Sequence, residues 1–200
     1  RVKERRRFRG AFSIFFRIKA LTEASAPAPA LPVYASPFAL LPLIGVPVFL
    51  AIANQTMVSV ALPAIGADLG HLRRLPWLVM GYMIALTVAG PLYGVLGDTF
   101  GRKKMMLLAL IVYMAGSVTC AFAGTIELLA FGRLVQGLGG GGLMALSQAL
   151  IGDVVAPRDR GRAQGNIAAI SVLASTAGPL VGGLTVQALG WRAMFLGTLP

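Results

Sequence analysis

GVLGDTFGRKK, residues 94–104, closes one run without a charged residue (75–97) and opens another (105–126). Each run is about as long as the roughly 20 apolar residues that carry a helix across a bilayer core. The segment is therefore read as the short connection between two antiparallel spans. Gly90 and Gly94 are spaced to let a neighbouring helix backbone approach. Gly101 permits a sharp turn. A plain basic loop accounts for Arg102, Lys103 and Lys104, but not for Asp98 four residues before Arg102 with glycines on both sides.

The same pattern extends in both directions. Residues 24–67, 134–152 and 163–191 also contain no Lys, Arg, Asp or Glu. The 200 residues are 56% hydrophobic and 12% charged, about half the charge of a soluble domain. The expected fold class is an all-α membrane protein, a transmembrane helical bundle of five spans plus the start of a sixth. The spans are placed at 38–62, 77–97, 105–123, 128–151 and 165–189, with a sixth cut short at 193–200. Residues 1–37 form a separate region. Its first 22 residues are basic with interleaved phenylalanines, which suits a solvated tail, an interfacial helix or a transit peptide. Ser25–Pro37 reads as a Pro/Ala-rich linker. The sequence begins at Arg1 rather than Met and stops inside a hydrophobic run, so a longer protein is expected, with a partner half beyond Pro200.

The net charge of +11 comes from 18 basic and 7 acidic residues. Fourteen of the basic residues fall in the tail and in the connections after spans two and four; only Arg73, Arg74 and Arg192 fall on the other side. This positive-inside bias places the amino terminus in the cytoplasm and the chain in the inner (plasma) membrane. It also accounts for the charge without nucleic acid. Trp77 and Tyr82 are expected near the outer interface. His71 and Cys120 lie on different segments and make no metal site; Cys120 is expected to pack. No catalytic set, metal site or cofactor is expected, and the chain is not read as an enzyme. Its partners are the lipid bilayer, a small organic substrate and protons.

Three further stretches carry polar or conformational information. Arg133-Leu-Val-Gln136-Gly137 opens the glycine-rich run Gly139–Gly142 in span four. Arg133 is the only charged residue well inside a span, where a helix-centre arginine costs about 2.5–3.5 kcal/mol on insertion scales. It either faces a cavity or partner, or snorkels to the outer end. The glycines offer a bare face for close packing; with no strand before them they are not a dinucleotide site. In span five, Gly178-Pro179-Leu-Val-Gly182-Gly183 combines a bend at Pro179 with a second small-residue face. In span one, Asn54-Gln-Thr-Met-Val-Ser-Val-Ala-Leu-Pro63 puts an amide at mid-span, as a polar helix contact or a group lining a cavity.

Together these four stretches resemble the major facilitator superfamily, and within it the fourteen-span drug:proton antiporter branch, over about residues 54–200. The resemblance implies a gating loop of Gly94, Asp98, Gly101 and Arg102, whose acid engages the other half of the molecule. It implies proton coupling at Arg133 with Gln136, and an antiporter motif at Gly178, Pro179, Gly182 and Gly183. The branch carries Asp where this chain has Asn54, and Asn cannot titrate. The implied function is a proton-driven multidrug exporter of amphipathic or cationic compounds. The alternatives are export of one metabolite or siderophore, and a truncated non-transporting fragment or membrane sensor.

Overall fold

The computed structural model describes residues 37–70 and 72–198. The basic tail, nearly all of the linker, His71 and Pro200 lie outside the described residues. Among the described residues there is no strand. Five helices are long and apolar enough to cross a membrane: α1 (Pro37–Leu69), α2 (Leu75–Phe100), α3 (Arg102–Ala121), α4 (Ile126–Val154) and α5 (Arg160–Leu189). A short α6 (Trp191–Gly197) follows. The chain is thus an all-α transmembrane bundle.

The helix ends follow from local chemistry. Pro37, assigned to the linker by the sequence, opens α1, where a missing N–H does no harm. α1 continues through Pro63 to Leu69 instead of stopping at 62. Ile65, fully buried beyond the proline, holds that added turn in the core. At the C-terminus of α2, Gly101 adopts φ 92° while its N–H reaches Gly97 O. A side chain at that φ is strained, so the reversal into α3 depends on glycine. The Thr125 hydroxyl accepts from Leu128 N and caps α4. At its other end, Arg160 donates to Gly152 O at 2.6 Å and to Val155 O at 3.3 Å. A cation over exposed carbonyls suits a helix C-terminus.

α4 is the central helix, packed between α2 and α3, while α1 packs on α5 and α6 rests against α3 and α5. The glycine run explains the closeness. A Cβ on Gly137 or Gly141 would strike the α2 backbone at Tyr82 or Leu86, and one on Gly139 would strike Tyr113 of α3. A Cβ on Gly182 would lie 2.9 Å from Met57 Cα in α1, and Gly178 faces Thr56 as closely. α5 runs unbroken through Pro179. The outward faces of α2 and α5 are apolar, with Val88, Val95, Leu173 and Leu180 all largely exposed. Such faces suit lipid or a second bundle, not water.

The expected close approach at Gly90 and Gly94 is not made. Among the described residues nothing lies within 4 Å of where either Cβ would stand. The tight glycine at this end is Gly97, where a Cβ would meet Leu146 at 2.7 Å. Tyr82 also departs from expectation: Trp77 is exposed, but Tyr82 is buried. It turns inward because its ring has a charge to cover.

Candidate functional site

That charge is Arg133. The side chain has 0% exposure, so the arginine stays inside instead of snorkelling. Its NH1 donates to Asn54 Oδ1 of α1 and to Gln136 Oε1 of its own helix, both at 2.6 Å. Its NH2 donates to Gln55 Oε1 at 2.7 Å, and its Nε to Leu78 O of α2 at 3.4 Å. The guanidinium carbon stands 4.0 Å from the centre of the Tyr82 ring. Three helices therefore converge on one cation.

The acceptors are all uncharged. Hydrogen bonds to a charged group contribute about 1.5–3 kcal/mol each, and a desolvated cation–π contact about 2 kcal/mol. Three short bonds and one aromatic face outweigh the insertion cost of about 2.5–3.5 kcal/mol. Arg133 can therefore remain charged without a carboxylate. A second layer orients the amides. Gln136 Nε2 donates to Ser117 Oγ of α3 at 2.7 Å, and Asn54 Nδ2 approaches Thr198 Oγ1 at 3.5 Å. The Tyr82 hydroxyl donates to Ala51 O at 3.3 Å.

The structure thus brings together the sequence-nominated Arg133, Gln136 and Asn54. Asn54 is fully buried and faces Arg133, not an open cavity. Gln55, Tyr82, Ser117 and Thr198 complete the site and were not foreseen in it. A usable signal was present: polar side chains inside charge-free runs need partners, and the spans contain a single cation.

The gating loop is remote from this centre. Asp98 is 68% exposed and accepts from Arg102 NH2 at 3.1 Å. Arg102 Nε also holds Asp153, at the C-terminus of α4, at 2.7 Å. Asp153 was not anticipated. Arg102 so ties the ends of α2 and α4 together, while Asp98 keeps most of its surface free. Cys120 packs in the core, as expected, with its Sγ 3.8 Å from Leu129 O. Among the described residues no His, Cys, Asp and Glu group could hold a metal ion.

At the opposite end, Asp68 of α1 accepts from Trp191 Nε1 at 3.1 Å and Arg192 NH1 at 2.7 Å. Arg192 also donates to Ala123 O and stacks 4.2 Å over the Trp191 ring. Arg74 pairs with Glu127 nearby. These contacts fasten the helix ends.

Residues 45–200 match the sequence profile of the Major Facilitator Superfamily. The chain is 39% identical over 153 residues to efflux pump dotC of Dothistroma septosporum, covering 76% of this chain and 26% of that protein. It is 38% identical over 157 residues to the acurin A biosynthesis cluster MFS-type transporter of Aspergillus aculeatus, covering 78% and 28%. With multidrug resistance protein 3 of Bacillus subtilis the identity is 34% over 153 residues, covering 76% and 30%. Among solved structures, the inward-open xylose transporter XylE from E. coli superposes with a TM-score of 0.67 at 17% identity. The match covers 82% of this chain and 45% of that one, a likeness of fold. This chain therefore spans well under half the length of the curated relatives it matches.

Proposed function

The chain belongs to the Major Facilitator Superfamily, and on that premise we propose that it forms the first helical bundle of a proton-driven exporter of amphipathic organic compounds. The observation that carries this reading is Arg133: a fully buried cation inside the bundle, held by amides from two helices. An intramembrane charge of this kind marks a transport path or a coupling element, because it is costly where it serves nothing. Relatives named as an efflux pump and a multidrug resistance protein support export.

The working cycle is a rocking of this bundle against a second one around a midplane site. The Lys/Arg bias supports a cytoplasmic position for the Gly94–Lys104 loop and the amino terminus. There the free surface of Asp98 is available to a partner helix, with Gly94, Gly101 and Arg102 shaping the loop. Gly178 and Gly182 fit α5 closely to α1, and with Pro179 and Gly183 they form the motif that favours antiport. Arg133 and Gln136 tune the proton step. Asn54 cannot carry a proton, so the titrating carboxylate lies elsewhere in the full protein.

Dye efflux from cells expressing the full-length protein tests this reading. Efflux that persists after the proton gradient is collapsed would sink the proton-driven version. A second reading, export of a single metabolite, is favoured by the similarity to a transporter named for the acurin A biosynthesis cluster. A broad dye panel separates the two: one accepted compound supports the second, several unrelated ones the first.

A further inference from the structure

The three amides around Arg133 are all turned the same way, and one of them has donors to spare. An arginine side chain only donates. Each amide must therefore offer Arg133 its oxygen and send its nitrogen away. The nitrogens of Gln136 and Asn54 are directed at hydroxyls inside the bundle, Ser117 and Thr198. Gln55 differs. It is half-buried, and its Nε2 takes no partner among the described residues. Ser59, one turn on, is exposed on the same face of α1, and its hydroxyl is directed back to Gln55 O at 3.1 Å.

We propose that Gln55 is a substrate-contacting residue whose outward Nε2 binds a carbonyl or carboxylate oxygen of the transported compound, so that neutral or anionic compounds are taken in preference to organic cations. This rests on the exporter reading and narrows its substrate class. Two physical arguments carry it. A primary amide with both N–H groups unspent is expensive against acyl chains, so this face of α1 suits water or substrate better than lipid. The charge around it is also of one sign. The described acids stand at the helix ends: Asp68 and Glu127 at one, Asp98, Asp153 and Asp159 at the other. At the level of Arg133 every partner is neutral. Its positive charge is passed outward by the polarised Gln55 amide, which attracts an acceptor and repels a cation.

The test uses purified full-length protein in lipid nanodiscs and three dyes of similar size: fluorescein as the anion, coumarin 6 as the neutral acceptor and rhodamine 6G as the cation. Fluorescein and coumarin 6 are expected to bind at least about tenfold more tightly than rhodamine 6G, the scale of one hydrogen bond to a polarised donor. Gln55→Glu keeps an oxygen on Arg133 but removes the donors and adds a negative charge. It is expected to weaken fluorescein about tenfold or more and to tighten rhodamine 6G. Gln55→Leu is expected to weaken fluorescein and coumarin 6 with no gain for rhodamine 6G. A wild-type preference for rhodamine 6G overturns the proposal. So does binding of none of the three dyes, or the same order of affinities in both folded variants, checked by thermal unfolding. Proteoliposome efflux is measured separately. Binding in the expected order without efflux overturns the exporter reading and leaves the Gln55 contact standing.

Discussion

In the stretch 133–142 the glycines are pressed against neighbours, and the arginine is sealed among amides. In the stretch 94–104 Gly94 and Gly101 face open space, and the arginine sits between two aspartates at the rim. Both stretches contain glycines and an arginine in short order, and they use them oppositely. Within the bundle, glycine removes bulk so that helix backbones can meet, and the charge is met by fixed dipoles. At the rim, Gly101 serves the turn, with Gly97 alone packed tightly, against Leu146, and water shares the charge with carboxylates. A buried arginine held by neutral groups keeps its charge through any event at the surface. A rim arginine held by carboxylates can exchange partners, which suits a contact that must be made and broken.

Removing the buried charge should have the largest effect. Arg133→Met leaves the oxygens of Asn54, Gln55 and Gln136 without their donor. Each buried neutral acceptor left unsatisfied costs about 1–3 kcal/mol. Thermal unfolding of the full-length protein should show a large drop, together with loss of efflux. An unchanged midpoint would mean that the network is not holding the three helices together.

Closing the glycine gap comes next. Gly141→Val forces a side chain onto Leu86 O and Ala89 of α2. Overpacking of this kind costs about 1–3 kcal/mol, again read from the unfolding midpoint. Asn54→Asp then changes the sign of the site. It sets a titratable carboxylate against Arg133 NH1, at a position where the amide oxygen now stands 2.6 Å away. Efflux should gain a further dependence on proton concentration beyond that of wild type, up to about tenfold per pH unit where that carboxylate titrates. A pH profile identical to wild type would exclude position 54 as a place from which protons can be carried.

How much of this contrast could be read from the sequence differs between the two stretches. The spans were legible because charge-free runs of membrane length admit few other readings. Arg133 stood out because it was the lone charge within them. Its partners did not, for a physical reason. A helix that is apolar nearly all round has no strong face, so its rotation about its own axis is not encoded in a hydrophobic period. Whether Asn54, Gln55 or Ser59 looks at Arg133 is decided by packing, chiefly by Gly178 and Gly182, which set α1 against α5. Tyr82 was misplaced for the same reason: an aromatic near a helix end suggests an interface, and only the neighbouring cation turned it inward. Asp153 was missed because its partner is 51 positions earlier in the chain, brought near only when α3 and α4 pack side by side.

The smaller predictions concern the rim. Asp153→Asn removes one of the two carboxylates on Arg102, whose side chain is 26% exposed. Partly exposed pairs contribute about 0.2–1 kcal/mol, so the loss of stability should be small and should shrink at high salt, where the Debye length is about 3 Å at 1 M. Stability of Arg133→Met relative to wild type should not respond to salt in this way. A salt-independent loss in Asp153→Asn would place Arg102 among the buried charges and remove the distinction between the two arginines.

Gly94→Ala is the mildest change and separates two uses of glycine most finely. No atom of the described residues stands within 4 Å of the added Cβ, and Gly94 lies inside α2. With nothing to clash, alanine should stabilise the helix by up to about 1 kcal/mol. If the residue matters only within this bundle, efflux should follow stability and stay the same or rise. If Gly94 makes its close approach to the second bundle when the loop engages it, the variant should be at least as stable as wild type and yet slower in efflux. Stability and transport moving in opposite directions at Gly94, and together at Gly141, would assign the open glycine to the moving contact and the closed ones to the fixed core.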